Sequence, residues 1–390
     1  MTKLITFLIM CLLAVFKPLQ ANTRTVEVLY LQIAQPQQAT LSNLDPVPED
    51  IGVVGAELAV ADNNTTGKFL GYEYAVSFAL LEEGDIAAAN SALDQFEGDF
   101  VLLDMSAQEQ LMLLASGSPK LFFNVRAYND ELRGASCQKN LFHTLPSYAM
   151  RADALLQFAV KKRWEDLVLL IGSTPEDASY AQAIRRSAKK FGLELKRDQN
   201  WIFDADMRRQ ASAEVPLFTQ KLGDYQALII ADERNDFARY VRYNTWLPRP
   251  VMGGDGLRSQ AWARSVEQWG AAQLQSRFRD LADRDMRDID YAAWVALRSI
   301  DEALVRTKFA ELDTVKAYLL DGIEVAGFKG RPLSYRQWNG QLRQPIALAH
   351  NSALVAMAPL EGFLHAHNEL DSLGFDRPGN RCTNFEGGAQ

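Results

Sequence analysis

Five groups of polar residues stand directly after short apolar runs, and their types suit non-covalent capture of a molecule. Ser106 comes soon after Phe100–Leu103, and Asn124–Tyr128, which includes Arg126 and Ala127, ends the run begun at Lys120. Ser173–Tyr180 follows Leu167–Ile171, Asp232-Glu233-Arg234 follows Ala227–Ala231, and Asp255 follows Val251-Met252. In an open parallel sheet, ligands lie in the crevice beyond the carboxyl ends of the strands, where these residues are expected. Hydroxyls, aromatic rings and charges of both signs fit a small polar or amphipathic organic molecule. Helices starting after the third and fifth strands would add backbone amides for an anionic group. Each residue alone is equally well a loop residue or a helix cap; the set carries the reading.

Bond-breaking chemistry finds less support. No GxGxxG or GxxxxGK[ST] occurs, so nucleotide binding has no local motif, and no GxSxG elbow is present. Ser106 has no identifiable histidine partner, and no nucleophile–base pair or metal set can be assembled, so no enzyme, cofactor or metal is expected. The histidines are His143, His350, His365 and His367. The His365-x-His367 pair lacks a third ligand and reads as solvated. Asp280, Asp283, Asp285, Asp288 and Asp290 resemble a cation site until Arg277, Arg279, Arg284 and Arg287 are counted among them. That run reads as a solvated, self-paired helical surface, and it lacks the glycine and final Glu of a calcium loop.

The elements that would position the polar groups alternate strand with helix. Strands are expected at Thr25–Ile33, Tyr74–Leu80, Phe100–Leu103, Lys120–Asn124 and Leu141–Thr144, with helices at Val53–Asn63, Asp85–Phe96, Ala107–Ala115 and Ala149–Lys162. A second series begins at Leu167–Ile171, whose unbroken apolar run suits a parallel strand covered on both faces. Gly172-Ser173-Thr174-Pro175 breaks that run, and a helix near Ser179–Phe191 ends at Gly192 after Lys189 and Lys190. Leu193–Leu195, Trp201–Phe203, a helix Arg209–Lys221, Ala227–Ala231 and a helix Phe237–Thr245 continue the series. Helices Ile289–Arg306 and Val315–Leu320 lead to an antiparallel ribbon at 327–335 and Leu348–Ala358. The pattern implies an α/β fold with two doubly wound, Rossmann-like lobes rather than a barrel of eight equal units.

The N-terminus reads as a secretory signal over 1–21: Lys3, an apolar run Leu4–Phe16, and a small residue at Ala21 before the expected cleavage. The run is short for a membrane span, and Leu8-Ile9-Met10 before Cys11 argues against lipidation. About 369 residues remain, enough for two lobes. Loss of Lys3 and Lys17 moves the formal charge from −8 to −10, which disfavours nucleic acid as a partner. Cys137 and Cys382 are the cysteines left, and in an exported chain they suggest one disulfide, with two free buried thiols as the alternative. Closing a loop of 245 residues is worth roughly 5 kcal/mol at most.

Five motifs in order give the chain a family resemblance. Gly55–Ala59 (GAELA) is similar to an "NGA…LA" first helix, and Ala127–Leu132 (AYNDEL) to an "ATNPEL" ligand loop. Leu141–Ser147 (LFHTLPS) looks like an "FRT-PS" crossover, and Val251–Gly256 (VMGGDG) resembles a second crossover. Gly327–Tyr335 (GFKGRPLSY), followed by Asn339-Gly340, is similar to "FGVTGxIxF…xG". Over roughly residues 25–360 the chain resembles type 1 periplasmic solute-binding proteins of the branched-chain amino acid ABC transporter group. Ala59–Gly71 (AVADNNTTGKFLG) and Arg151–Leu155 (RADAL) are similar to a branch associated with PQQ-dependent alcohol oxidation.

The resemblance implies a periplasmic binding protein serving an inner-membrane ABC permease beside a PQQ-dependent dehydrogenase system, without itself binding PQQ. It implies hinge closure between lobe one (24–146 and 254–326) and lobe two (147–253 and 327–365), with crossovers near Pro146, Gly253 and Gly327 and a tail at 366–390. By position, Ser106 and the loop of Arg126, Ala127 and Tyr128 would hold a ligand carboxylate, Tyr180 would form an aromatic wall, and Asp255 would pair with an amino group. Tyr128 stands where Ser or Thr is usual, and Glu233 or Arg234 where an aromatic is common. These departures point away from an ordinary branched-chain amino acid. A sensor or accessory protein of the same fold, an enzyme, and a structural lobe pair remain as alternatives.

Overall fold

The computed structural model describes residues 23–36, 47–201, 207–350 and 352–385. The expected signal segment and Phe203 lie outside them. The apolar runs form two parallel sheets. Strand β1 (Arg24–Ile33) lies second in a sheet of order β2-β1-β3-β4-β5, with β2 at Tyr72–Leu81, β3 at Phe100–Asp104, β4 at Leu121–Asn124 and β5 at Leu141–His143. Register pairs Tyr30 with Phe78 on one side and with Leu102 on the other. Both faces are covered, so all five residues of β3 are buried. Helices α1 (Val53–Leu70), α2 (Ile86–Gln95) and α3 (Ala107–Leu114) connect the strands.

After α4 (Tyr148–Lys162) comes the second sheet, of order β7-β6-β8-β9. Its strands are β6 (Asp166–Ile171), β7 (Glu194–Asn200), β8 (Ala227–Ala231) and β9 (Val251–Gly253). Helices α5 (Pro175–Phe191), α6 (Met207–Gln220) and α7 (Ala238–Val241) join them. In both sheets the strand order reverses beside the first strand, between β1 and β3 and between β6 and β8. Such reversals open a crevice at the carboxyl ends. This is the α/β architecture of two doubly wound, Rossmann-like sheets expected.

Several elements differ from expectation for local reasons. Helix α5 starts at Pro175, four residues before the expected Ser179, because Thr174 caps it and Asp177 completes the capping box. Helix α1 runs on through Asn63-Asn64-Thr65-Thr66 to a left-handed Gly71. Trp201 follows β7 instead of opening a strand; it is buried against Phe218 and Phe237.

The chain then returns through β10 (Arg258–Gln260), α8 (Ala271–Ala282), α9 (Asp288–Arg306) and α10 (Leu312–Asp321). Strands β11 (Val325–Ala326), β12 (Pro332–Tyr335) and β13 (Leu342–Arg343) form one small antiparallel sheet, and β10, β14 (Ile346–His350) and β15 (Ala353–Ala358) another. Strand β14 lies between the two cores. Alternation places Ala347 and Ala349 with the first core, and Ile346 and Leu348 with the second. Leu333, Tyr335 and Leu342, from the stretch the resemblance assigned to the second lobe, also bury in the first core.

The Sγ atoms of Cys137 and Cys382 lie 2.03 Å apart. The segment between Asn368 and Phe385 spans both cores. Arg336 donates to Asp371, Leu370 and Leu373, while Gly374 donates to Asp153 and Lys190 to the Ser372 carbonyl. Among the described residues no helix is long and apolar enough to cross a membrane.

Candidate functional site

At the carboxyl end of β8 the chain turns through Asp232-Glu233-Arg234. The Asp232 carboxylate accepts the amides of Asp236, Phe237 and Ala238, so it caps α7 from inside the turn. Burial pushes its carboxyl up to about 6 despite those donors. Asp177, the third residue of α5, accepts Thr174 N through Oδ2 and Glu233 N, at 2.7 Å, through Oδ1. The α5 capping box thus fixes the backbone of Glu233.

The Glu233 carboxylate faces Arg151, on the first turn of α4. Arg151 Nη1 and Nη2 donate to it at 2.5 and 3.1 Å, and Nε reaches the Ser259 carbonyl at 3.3 Å. Three tyrosine rings surround the guanidinium: Tyr128 at 4.6 Å, Tyr180 at 4.7 Å and Tyr148 at 5.7 Å from its carbon. Tyr148 packs between the other two, 5.6 Å from Tyr128 and 5.5 Å from Tyr180. Each cation–π contact of this desolvated kind is worth about 2 kcal/mol. Burial opposes the charge on Arg151, but Glu233 together with the Tyr180 and Tyr128 phenols outweighs it, and the guanidinium stays firmly protonated. Burial pushes all three phenols up, so the rings stay neutral.

Tyr128 comes from the loop after β4, held by Arg133, which is buried and donates to the carbonyls of Ala127, Asn129 and Leu145. Its hydroxyl donates to Asp288 Oδ2 at 3.2 Å, and Asp288 Oδ1 accepts Trp262 N at 2.9 Å. A cavity of about 140 Å³ lies beside Arg151, lined by Tyr180, Asp232, Glu233, Asn235, Gly253, Gly254, Arg258, Ser259, Gln260 and Asp288. Two arginines face three carboxylates on that lining.

The expected residues divide into two places. Tyr180 and Glu233 line the cavity, and Tyr128 closes over Arg151. Tyr180 lies in the second turn of α5, not in a loop, and is 1% exposed. Ser106, Arg126 and Ala127 gather at the end of the first sheet with their backbone amides already engaged. Ser106 N donates to Glu109 Oε2 at 2.8 Å and its hydroxyl accepts Glu109 N at 3.3 Å, a capping box for α3. The amides of Arg126 and Ala127 both donate to Asn124 Oδ1, at 3.1 and 2.8 Å. The Arg126 side chain pairs with buried Asp104, which also accepts from Tyr30 and Gln32. Asp255 is half-buried and outside the residues that line the cavity, its carboxylate 3.9 Å from Arg242.

Sequence reasoning missed Arg151 as a central group, along with Tyr148 and Asp288. The spacing S-x-x-E at Ser106 and Glu109, and Thr174 three before Asp177, signalled caps. The acidic run also differs from expectation. Asp290 is fully buried, bound by Arg284 and by Gly52 N, and Asp288 faces the cavity. The first turn of α9 gathers these carboxylates because acids suit a helix N-terminus. His365 pairs with Asp376, and among the described residues no group of three or more His, Cys, Asp or Glu could hold a metal.

Most of the stretch that resembles the PQQ-linked branch serves packing. Asp62 accepts Trp294 Nε1, Asn63 binds the Leu297 carbonyl, and Asn64 exchanges bonds with the Tyr74 backbone. Asp153 takes Arg186, Ser187 and Lys190. Arg151 is the member of that stretch that lines the cavity.

No protein-family model matches the sequence, and no curated protein matches it. Solved structures match over nearly the whole chain. A periplasmic binding protein from Burkholderia mallei has a TM-score of 0.67 at 12% identity, covering 93% of this chain and 99% of that one. A leucine-, isoleucine-, valine-, threonine- and alanine-binding protein from Brucella ovis, in its closed conformation, has 0.66 at 12%, covering 87% and 93%. An ABC-transporter solute-binding protein from R. palustris, in complex with benzoate, has 0.65 at 13%, covering 92% and 99%. At such identities the likeness is one of fold.

Proposed function

We propose that this chain is the periplasmic substrate-binding component of an ABC-type importer, capturing a small polar solute by hinge closure. The observation that carries the reading is the cavity at the β6/β8 reversal. It is walled by Tyr180, Glu233 and Arg151 from the second sheet's side and by Asp288 from the first, with Tyr128 packed over Arg151 and bonded to Asp288. In this reading residues 24–146 and 254–343 move as one lobe and 147–253 with 346–365 as the other. Residues 144–147, 253–257 and 343–346 bend, and export follows a cleaved signal at 1–21. Cys137 and Cys382 form a disulfide in the oxidising periplasm. The partner is an inner-membrane permease, and the setting a PQQ-dependent alcohol oxidation system.

The engaged amides of Ser106, Arg126 and Ala127 weigh against an α-carboxylate at the first sheet's edge, so the solute is held mainly from the second. The same engagement favours one other reading, an accessory or sensor protein of this fold that partners a periplasmic dehydrogenase or receptor. A thermal-shift series over amino acids, alcohols, organic acids, organic cations, quinones and metal ions separates the two. A rise in melting temperature with one solute class supports import. No shift with any class, together with co-purification of a dehydrogenase, sinks it in favour of the accessory role.

A further inference from the structure

Tyr128, Tyr148, Tyr180 and Glu233 converge on one point from two helices and two loops, and that point holds a guanidinium. Three aromatic faces and a two-pronged carboxylate recognise a planar organic cation: the rings offer their negative faces, and the carboxylate accepts two parallel N–H groups. The occupant here is Arg151 of the same chain, with both Nη atoms on Glu233 and Nε on the Ser259 carbonyl. Beside it the cavity of about 140 Å³ carries Asp232 and Asp288. It thus offers room and counter-charge for the side chain if it swings aside.

We propose that this cage is a receptor for small organic cations bearing a guanidinium group, and that Arg151 is its built-in occupant, so that such a ligand enters only by displacing Arg151. The inference rests on the cleft proposed above and names the ligand class it takes. The ring of Tyr128 comes from the first sheet's side and the other groups from the second. An occupied cage therefore draws the two sides together whether the guanidinium belongs to a ligand or to Arg151. Arg151 would then hold the empty protein in a closed or nearly closed state and set the affinity a ligand must exceed.

Titration calorimetry with methylguanidine on the full-length mature protein tests this. Arg151→Ala should bind methylguanidine at least tenfold more tightly than the wild type, and adding Glu233→Gln to that variant should remove the gain. Should Arg151→Ala not fold, Arg151→Gln, which keeps a donor to Glu233 without the charge, replaces it with the same expected order. Tetramethylammonium, which the rings accept but the carboxylate cannot grip, should bind more weakly than methylguanidine. Equal affinity in wild type and variant, or no binding to a folded variant, overturns the proposal. If a different solute class nonetheless stabilises the wild type, the importer reading stands and the cation assignment alone falls.

Discussion

Lys329 shows how much a single buried charge can do in this fold. It is 4% exposed, its ammonium lies 4.3 Å from the Tyr291 ring, and it donates to Gln344 Oε1 at 2.6 Å. Gln344 donates onward to the Thr144 carbonyl at 2.7 Å, so the lysine links two of the segments proposed to bend. Burial lowers its ammonium from 10.5 to about 7, with Asp288 opposing. The unfolded chain therefore holds more protons than the native one between about pH 7 and 10.5, and stability should rise with pH through that window. Below about 7 the charge is buried and the gain is gone. Urea unfolding at pH 7 and pH 9 should show the rise in the wild type and its loss in Lys329→Met; an unchanged slope in the variant would assign the rise elsewhere. Ser106 makes a second residue-scale case. As the cap of α3 it should cost about 1 kcal/mol of stability when replaced by Ala. Ligand affinity should stay within twofold, since Glu109 already occupies its amide and donates to its hydroxyl oxygen. A large affinity loss without a stability loss would return Ser106 to the site.

At the scale of elements, much could be read from residue patterns, and the misreadings have identifiable causes. Parallel strands were legible because burial on both faces demands unbroken apolar runs such as Phe100–Leu103 and Ala227–Ala231. The ends of those strands pointed to Tyr180 and Glu233 because a doubly wound sheet admits a ligand there. Arg151 carried no such signal: it lies on a helix face, and its role arises from three rings distant from one another in sequence. Capping boxes were the other blind spot. Thr174–Asp177 moved the start of α5, and Ser106–Glu109 turned expected ligand donors into a helix cap. The packing of α1 on α9 yields a sharp test. A Cβ at Gly55 would sit 2.1 Å from the Asp290 carbonyl oxygen. Gly55→Ala should lower unfolding free energy by about 1–3 kcal/mol or more. Chemical denaturation reads this directly, and a neutral result would mean the helices can separate at no cost.

Across the whole molecule the C-terminal segment matters most, and composition alone could not place it. Leu370 and Leu373 are buried, Asp371 pairs with Arg336 and Arg343, Phe375 lies under Arg186, and Phe385 meets Phe142. These contacts tie the two cores together, with Cys137 beside Cys382 at the far end. Reduction, or Cys137→Ser with Cys382→Ser, should therefore lower stability by up to roughly 5 kcal/mol. It should also widen the ligand-free molecule in solution scattering. Stability lost with no change in dimensions would make the segment a staple and not a restraint on opening. The central claim is that a solute closes the cleft onto Tyr128 and Glu233. Small-angle scattering of the mature protein, with and without the solute that stabilises it most, tests that claim most directly. The account predicts that Arg151→Ala opens the empty molecule, that solute contracts it again, and that Tyr128→Ala abolishes the contraction. A contraction that survives Tyr128→Ala, or solute binding with no change of dimensions in either protein, would contradict it.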